Sequence, residues 1–135
     1  MLFKNFVMLD PERDEVLEGF NLLVEGDRIR EVSERPIRTD DAAVIDCGGR
    51  TLMPGLIDSH VHVVLSEVFL RNLENMPITL MTANAMVAMQ SMLDRGFTSV
   101  RDTGGADWGL RTAVEEGLIA GPRLFISGRA IGPTG

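Results

Sequence analysis

One cysteine, one lysine and two histidines are all that 135 residues offer of three reactive side-chain types, and each scarcity excludes something. Cys47 has no partner for an internal disulfide and no neighbouring Cys for a redox or zinc–thiolate motif, so beside Gly48-Gly49 it reads as a small packing residue. Basic clusters are missing too. The formal net charge is -7, the pI is ≈ 4.7 and the arginines lie singly, which argues against a nucleic-acid surface, because phosphate binding needs gathered Lys and Arg. Long apolar runs are also absent: stretches such as 61–65 and 78–81 fall far short of the roughly 20 residues that a membrane span needs. Neither nucleic acid nor membrane is an expected partner. The opening Met1-Leu-Phe-Lys-Asn-Phe6 lacks a basic segment followed by an apolar core and a small-residue cleavage site, so no secretory signal is expected and the cytoplasm is the expected compartment.

What is present is the balance of a soluble globular chain, 44% hydrophobic and 24% charged. Residues 1–51 have the texture of small β-structure. Phe20, Leu22 and Val24 alternate, Glu25-Gly-Asp27 reads as a turn, and Ile29 and Val32 resume, which predicts a hairpin. A polar stretch from Ser33 to Asp41 follows, then a short strand over 42–46 and a tight turn at Cys47-Gly-Gly49. Beyond Arg50, residues 52–64 are nearly continuous apolar sequence, as expected of a strand buried on both faces of a parallel sheet. Ile78, Met81, Ala85, Ala88 and Met92 recur at helical spacing with Leu93 beside them, which predicts an amphipathic helix ending at Gly96 whose methionines are core packing. A strand over 97–102 comes next. Asp107 is placed to cap a helix burying Leu110, Ala113, Val114 and Leu118, and a third strand spans 123–127. Strand, helix, strand, helix, strand in succession predicts a parallel sheet.

The chemistry concentrates on the first of those strands. Side chains at i, i+2 and i+4 of a strand share a face, so Asp58, His60 and His62 are expected to project together. Two adjacent imidazoles suit one divalent metal, and Asp58 is the expected acceptor behind them, orienting a ring from outside the ligand set. Alone, His-x-His is a weak signal. Arg101 and Asp102 end the second strand, where a structural salt bridge is the preferred reading, and the glycines of Thr103-Gly-Gly105 read as a tight turn. Trp108, the single Trp, starts a helix and is expected to pack against the exterior of its own fold or a neighbouring subunit.

The run Leu52-Met-Pro-Gly-Leu-Ile-Asp-Ser-His-Val-His62 closely resembles the first barrel strand of the amidohydrolase superfamily, in which Pro-Gly-hydrophobic-hydrophobic-Asp-x-His-x-His supplies two metal ligands. The Gly26-Asp-Arg-Ile-Arg30 hairpin and the Val44-to-Thr51 approach are similar to the small β-sandwich preceding that barrel. Gly96-Phe-Thr-Ser-Val-Arg-Asp-Thr-Gly-Gly105 and Gly121-Pro-Arg-Leu-Phe-Ile-Ser-Gly-Arg129 resemble the second and third barrel strands of the branch holding metal-dependent prolidases and Xaa-Arg or Xaa-Lys carboxypeptidases. The resemblance implies an N-terminal β-sandwich portion over 1–51 and the first three strands of a (β/α)8 TIM barrel over 52–135. It implies His60 and His62 as metal ligands and one or two divalent ions, zinc foremost. The expected activity is hydrolysis of a peptide or other carbon–nitrogen bond, in an Xaa-Pro dipeptide or at a C-terminal residue. A cyclic-amide hydrolase, a heterocycle deaminase and a non-catalytic metal- or partner-binding remnant are the alternatives.

The superfamily's bridging lysine, later histidines and late aspartate have no counterparts here, since Lys4 lies in the β-region and there is no third histidine. No catalytic residue beyond the two ligands is therefore assigned. A whole barrel takes about 250 residues, so the chain is expected to be a fragment of a longer enzyme, inactive alone. The segment 130–135 is read as ending straight after a strand with no covering helix. An unpaired parallel edge and a bare apolar face predict poor solubility or homo-oligomeric association.

Overall fold

Alternating apolar residues in the first third of the chain do form strands, and the computed structural model describes residues 1–67 and 70–129. Two units are distinguished, Met1–Pro54 and Gly55–Gly135. The first is a five-stranded sheet of β1 (Leu2–Asp10), β2 (Glu15–Glu18), β3 (Asn21–Glu25), β4 (Arg28–Ser33) and β5 (Val44–Leu52). The start of β1 pairs antiparallel with β3 and its end antiparallel with β2, while β5 pairs with it in parallel. A parallel neighbour requires the chain to cross over, and residues 34–43 do so. Ile37 on that crossover is buried with Leu2 and Leu23, which makes the connection part of the core.

The expected hairpin is β3–β4, turning at Gly26 with a φ of 59°. Its alternation is broken by a register shift between Leu23 and Val24, and both Leu22 and Leu23 are buried in consequence. Cys47-Gly-Gly49, expected as a tight turn, lies inside β5 instead. The strand continues because Gly48 and Gly49, at φ 59° and 76°, take up a left-handed kink beside the register shift between Lys4 and Phe6, where Asn5 itself has φ 55°. Asp46 braces this irregularity by accepting from the Gly48 N–H at 2.8 Å and from Asn5 Nδ2 at 2.8 Å.

The second unit contains β6 (Leu56–Val61), α1 (Leu70–Glu74), α2 (Ile78–Asp94), β7 (Phe97–Asp102), α3 (Trp108–Glu115) and β8 (Arg123–Ile126). Its three strands form a parallel sheet in the order β6-β7-β8. The short α1 was not anticipated. Val63, Ala85, Met89, Val100, Ala106, Leu110 and Leu124 make the core. Gly55 is required at the entry to β6, where a Cβ would collide with the Thr98 side chain. Asp107 caps α3 as expected, its Oδ1 accepting from the Leu110 N–H at 3.0 Å.

Three burial expectations need correction. β6 is not enclosed on both faces: α2 packs on β7 and α3 on β8, and Ile57 remains 75% exposed. In α2 the inward stripe centres on Ala85 and Met89, and Ile78 at the first turn is 74% exposed. Leu118 lies beyond the end of α3 and is exposed, because the helix stops at Glu115 with Glu116 as its C-cap. Trp108 is exposed among the described residues, and 130–135 lie outside them. No helix among the described residues is long and apolar enough to cross a membrane.

Candidate metal centre

β6 delivers the two histidines at its carboxyl end, His60 inside the strand and His62 one residue past it. Their rings come together as the i, i+2 spacing predicts, with centroids 5.4 Å apart and planes at 79°. Both are solvent-exposed residues. His62 is held from the neighbouring strand end. Its Nδ1 lies 2.9 Å from the Gly104 carbonyl oxygen. A carbonyl only accepts, so Nδ1 carries the proton, and the lone pair of the neutral ring is left on Nε2. That nitrogen has the Thr103 hydroxyl 3.4 Å away as its neighbour.

Asp58, expected behind the imidazoles, does something more local. Its Oδ1 accepts from the His60 backbone N–H at 3.0 Å, bracing the strand beside the register irregularity between Asp58 and Val61. The ring-orienting acceptor is the main chain at Gly104. The turn reading of Thr103-Gly-Gly105 therefore holds in part only, because this turn also carries its backbone to the His62 ring. Gly105 has φ 121°, and a Cβ there would meet Val64 Cγ2, so a side chain at this position is strained on two counts.

No salt bridge joins Arg101 and Asp102. Arg101 Nε donates to the Ser59 carbonyl at 2.8 Å, tying β7 to β6. Asp102 is 0% exposed and accepts three backbone N–H groups: Val63 at 2.8 Å through Oδ2, then Gly104 at 2.9 Å and Ala106 at 3.2 Å through Oδ1. Around it the strand ends interlock, since Thr103 N–H donates to Val61, Ser127 N–H to Asp102 and Gly105 N–H to Gly128. Sequence reasoning passed over this use of Asp102, although Asp-x-Gly is the pattern of an Asx turn, in which the carboxylate accepts from the residue two positions on. Its long-range partner, Val63, left no signal in the sequence.

Among the described residues no three of His, Cys, Asp or Glu converge on one point. The donor set that a metal would meet here is thus the pair of imidazoles, one of them presenting Nε2. This chemistry fits a divalent ion of the zinc type, which takes neutral imidazole nitrogen, and fills half of a four-coordinate shell.

A parallel sheet of β6, β7 and β8 with helices between its strands defines a class, α/β proteins. The chain belongs to the amidohydrolase family, whose pattern matches residues 51–132, and members of that family generally use divalent metals. A crystal structure of an amidohydrolase superimposes with a TM-score of 0.91 at 53% identity over 96% of this chain and 31% of that one. A prolidase solved in complex with N-methylphosphonate-L-proline superimposes with a TM-score of 0.90 at 46% identity, over 96% of this chain and 32% of that one. Among curated proteins, a 5-methylthioadenosine/S-adenosylhomocysteine deaminase of Caldanaerobacter subterraneus subsp. tengcongensis is 41% identical over 66 residues, 49% of this chain and 15% of that protein. The chain thus spans about a third of the solved structures it matches, 31% and 32%.

Proposed function

We propose that this chain is the metal-ligating start of a hydrolase that cleaves a peptide or related carbon–nitrogen bond. In this reading 1–51 is part of a small β-sandwich, 52–135 carries the first three strands of a (β/α)8 barrel, and His60 and His62 ligate a divalent ion, zinc foremost. The observation that carries it is the ring of His62, fixed through Nδ1 on the Gly104 carbonyl, so that Nε2 keeps the lone pair, with its centroid 5.4 Å from that of His60. A divalent metal bound there supplies water acidified to near neutral pKa and a polarised carbonyl. The chain's own residues hold the ligands: Gly104 orients His62, while Asp58 and Arg101 stiffen the strand that bears both rings. With its carboxylate engaged on the His60 N–H, Asp58 is not assigned a proton-transfer role.

A prolidase or carboxypeptidase-like activity of the whole protein is the favoured substrate reading. It is supported by likeness to the prolidase over 96% of the chain at 46% identity. Deamination of a heterocycle or opening of a cyclic amide is the second reading, favoured by the deaminase and by a dihydroorotase of a Wolbachia species, 44% identical over 61 residues. The whole protein, assayed on Xaa-Pro dipeptides, dihydroorotate and adenosine derivatives, distinguishes them. For the ligands the test is zinc titration of this chain by calorimetry, with cobalt absorption as a second readout. Replacing either histidine by Ala is expected to lower affinity by more than about tenfold. An affinity that survives His60→Ala together with His62→Ala would sink the proposal.

A further inference from the structure

The buried Asp102 carboxylate stands one hydrogen bond behind the group that fixes His62. Its Oδ1 takes the N–H of Gly104, whose carbonyl meets His62 Nδ1, and its Oδ2 takes the N–H of Val63, the residue directly after His62. One side chain thus grips both backbone segments whose separation sets the Nδ1–carbonyl distance, the exit of β6 and the turn after β7. We infer that Asp102 is a positioning residue for His62: it locks the Gly104 carbonyl against Nδ1 and so imposes the tautomer that presents Nε2 to a metal. This rests on the ligand role proposed above for its metal consequence, but not for the tautomer itself.

The two oxygens cannot be replaced by an amide without conflict. A carboxylate accepts at both ends, whereas Asn carries one oxygen and one NH2, whichever way it is turned. In one orientation the NH2 confronts the Val63 N–H, and in the other it confronts those of Gly104 and Ala106. With Asp102 fully enclosed, bulk solvent does not reach the displaced donor, so one of the two backbone segments has to move. Thr103 makes the outcome sensitive to small shifts. If Nδ1 loses the carbonyl, the proton is free to pass to Nε2, where the Thr103 oxygen at 3.4 Å accepts it and the metal-binding lone pair is lost.

The test is long-range 1H–15N correlation of the imidazoles at a pH where both rings are neutral, in this chain and in Asp102→Asn. Wild-type His62 is expected as the Nδ1–H tautomer. In the variant its signals are expected to shift toward the Nε2–H form or an average, while those of His60 stay in place, and zinc affinity is expected to fall about tenfold, the usual cost of losing an orienting partner. A wild-type His62 found as Nε2–H overturns the inference, as does a folded Asp102→Asn variant with tautomer and zinc affinity both unchanged. Should that variant not fold, hydrogen-bond scalar couplings in the wild type decide. Couplings from the Val63 and Gly104 amides to the Asp102 carboxyl carbon support the grip, and their absence refutes it. A tautomer shift combined with zinc binding indifferent to His62→Ala would refute the ligand reading and still support the positioning role.

Discussion

Each unit of this chain has an aspartate that steadies an irregular piece of backbone, and the two could hardly be placed more differently. Asp46, in the first unit, sits on the surface and bridges the kink of β5 to Asn5 across the sheet. Asp102, in the second, is sealed in and holds three N–H groups from two strand ends. The chemistry of the bonds is alike. The difference lies in what replaces them when the carboxylate is removed. Water takes over at Asp46, so only the modest net worth of a hydrogen bond is forfeited, while at Asp102 each donor is left desolvated and unpaired. The strongest restraint thus falls on the unit with the histidines, where a rim of strand ends has to keep its shape.

The contrast breaks most visibly if Asp102 is removed outright. Asp102→Ala is expected to destabilise the second unit by about 3–5 kcal/mol, since three buried donors at roughly 1–3 kcal/mol each lose their acceptor and partial relaxation recovers some of that. Hydrogen exchange should show β6, β7 and β8 losing protection while β1 to β5 keep theirs. A loss under about 1 kcal/mol in urea unfolding would mean that water reaches the site and that the two aspartates are equivalent.

Core truncation sharpens the same contrast at a lower level. Met89 is fully buried within a cluster of seven core residues, whereas Leu23 belongs to a cluster of three, with Leu2 and Ile37, against which Ala42 packs. Met89→Ala is expected to cost about 3 kcal/mol and Leu23→Ala about 2, the smaller surround leaving less to lose. Equal costs by urea unfolding would show that the first core is as well packed as the second.

The smallest effect belongs to Asp46, and it is a matter of pH. Hydrogen bonds from Gly48 and Asn5, aided by Arg50, hold its carboxyl below the ordinary aspartate value of 3.8. A depressed folded-state pKa contributes stability that is complete above the unfolded value and is lost as pH falls through the folded one. Asp46→Asn should therefore melt slightly below the wild type at neutral pH, and the gap in Tm should close in strong acid. A gap that persists unchanged below pH 3 would assign the effect to packing at the kink rather than to charge.

The elements that were legible beforehand are those whose signal is local and repeats. β7 and the β3–β4 hairpin carry their period in a few residues, and the Asp107 cap lies beside the helix it starts. The histidine pair was legible for the same reason, because strand geometry alone puts i and i+2 on one side. Misreadings arose where neighbours far along the chain decide. Cys47-Gly-Gly49 looks like a turn until β1 is placed beside it, and Ile78 looks buried until it is clear that β7 lies under the middle of α2. The role of Asp58 was misjudged because its carboxylate accepts from a backbone donor two residues away, the His60 N–H.

Composition, strand and helix periodicity and the Pro-Gly-Leu-Ile-Asp-Ser-His-Val-His run were enough to establish an α/β chain, a parallel sheet and a paired set of imidazoles. Those properties depend on spacing along one strand or one helix, and spacing is written in the order of residues. Which atom holds His62, and which carboxylate secures that atom, depended on bringing residues 62, 63, 102 and 104 together from two strand ends. Hydrogen bonds act over about 3 Å of space whatever the distance along the chain, so only the folded sheet could select Gly104 and Asp102 over the nearer Asp58.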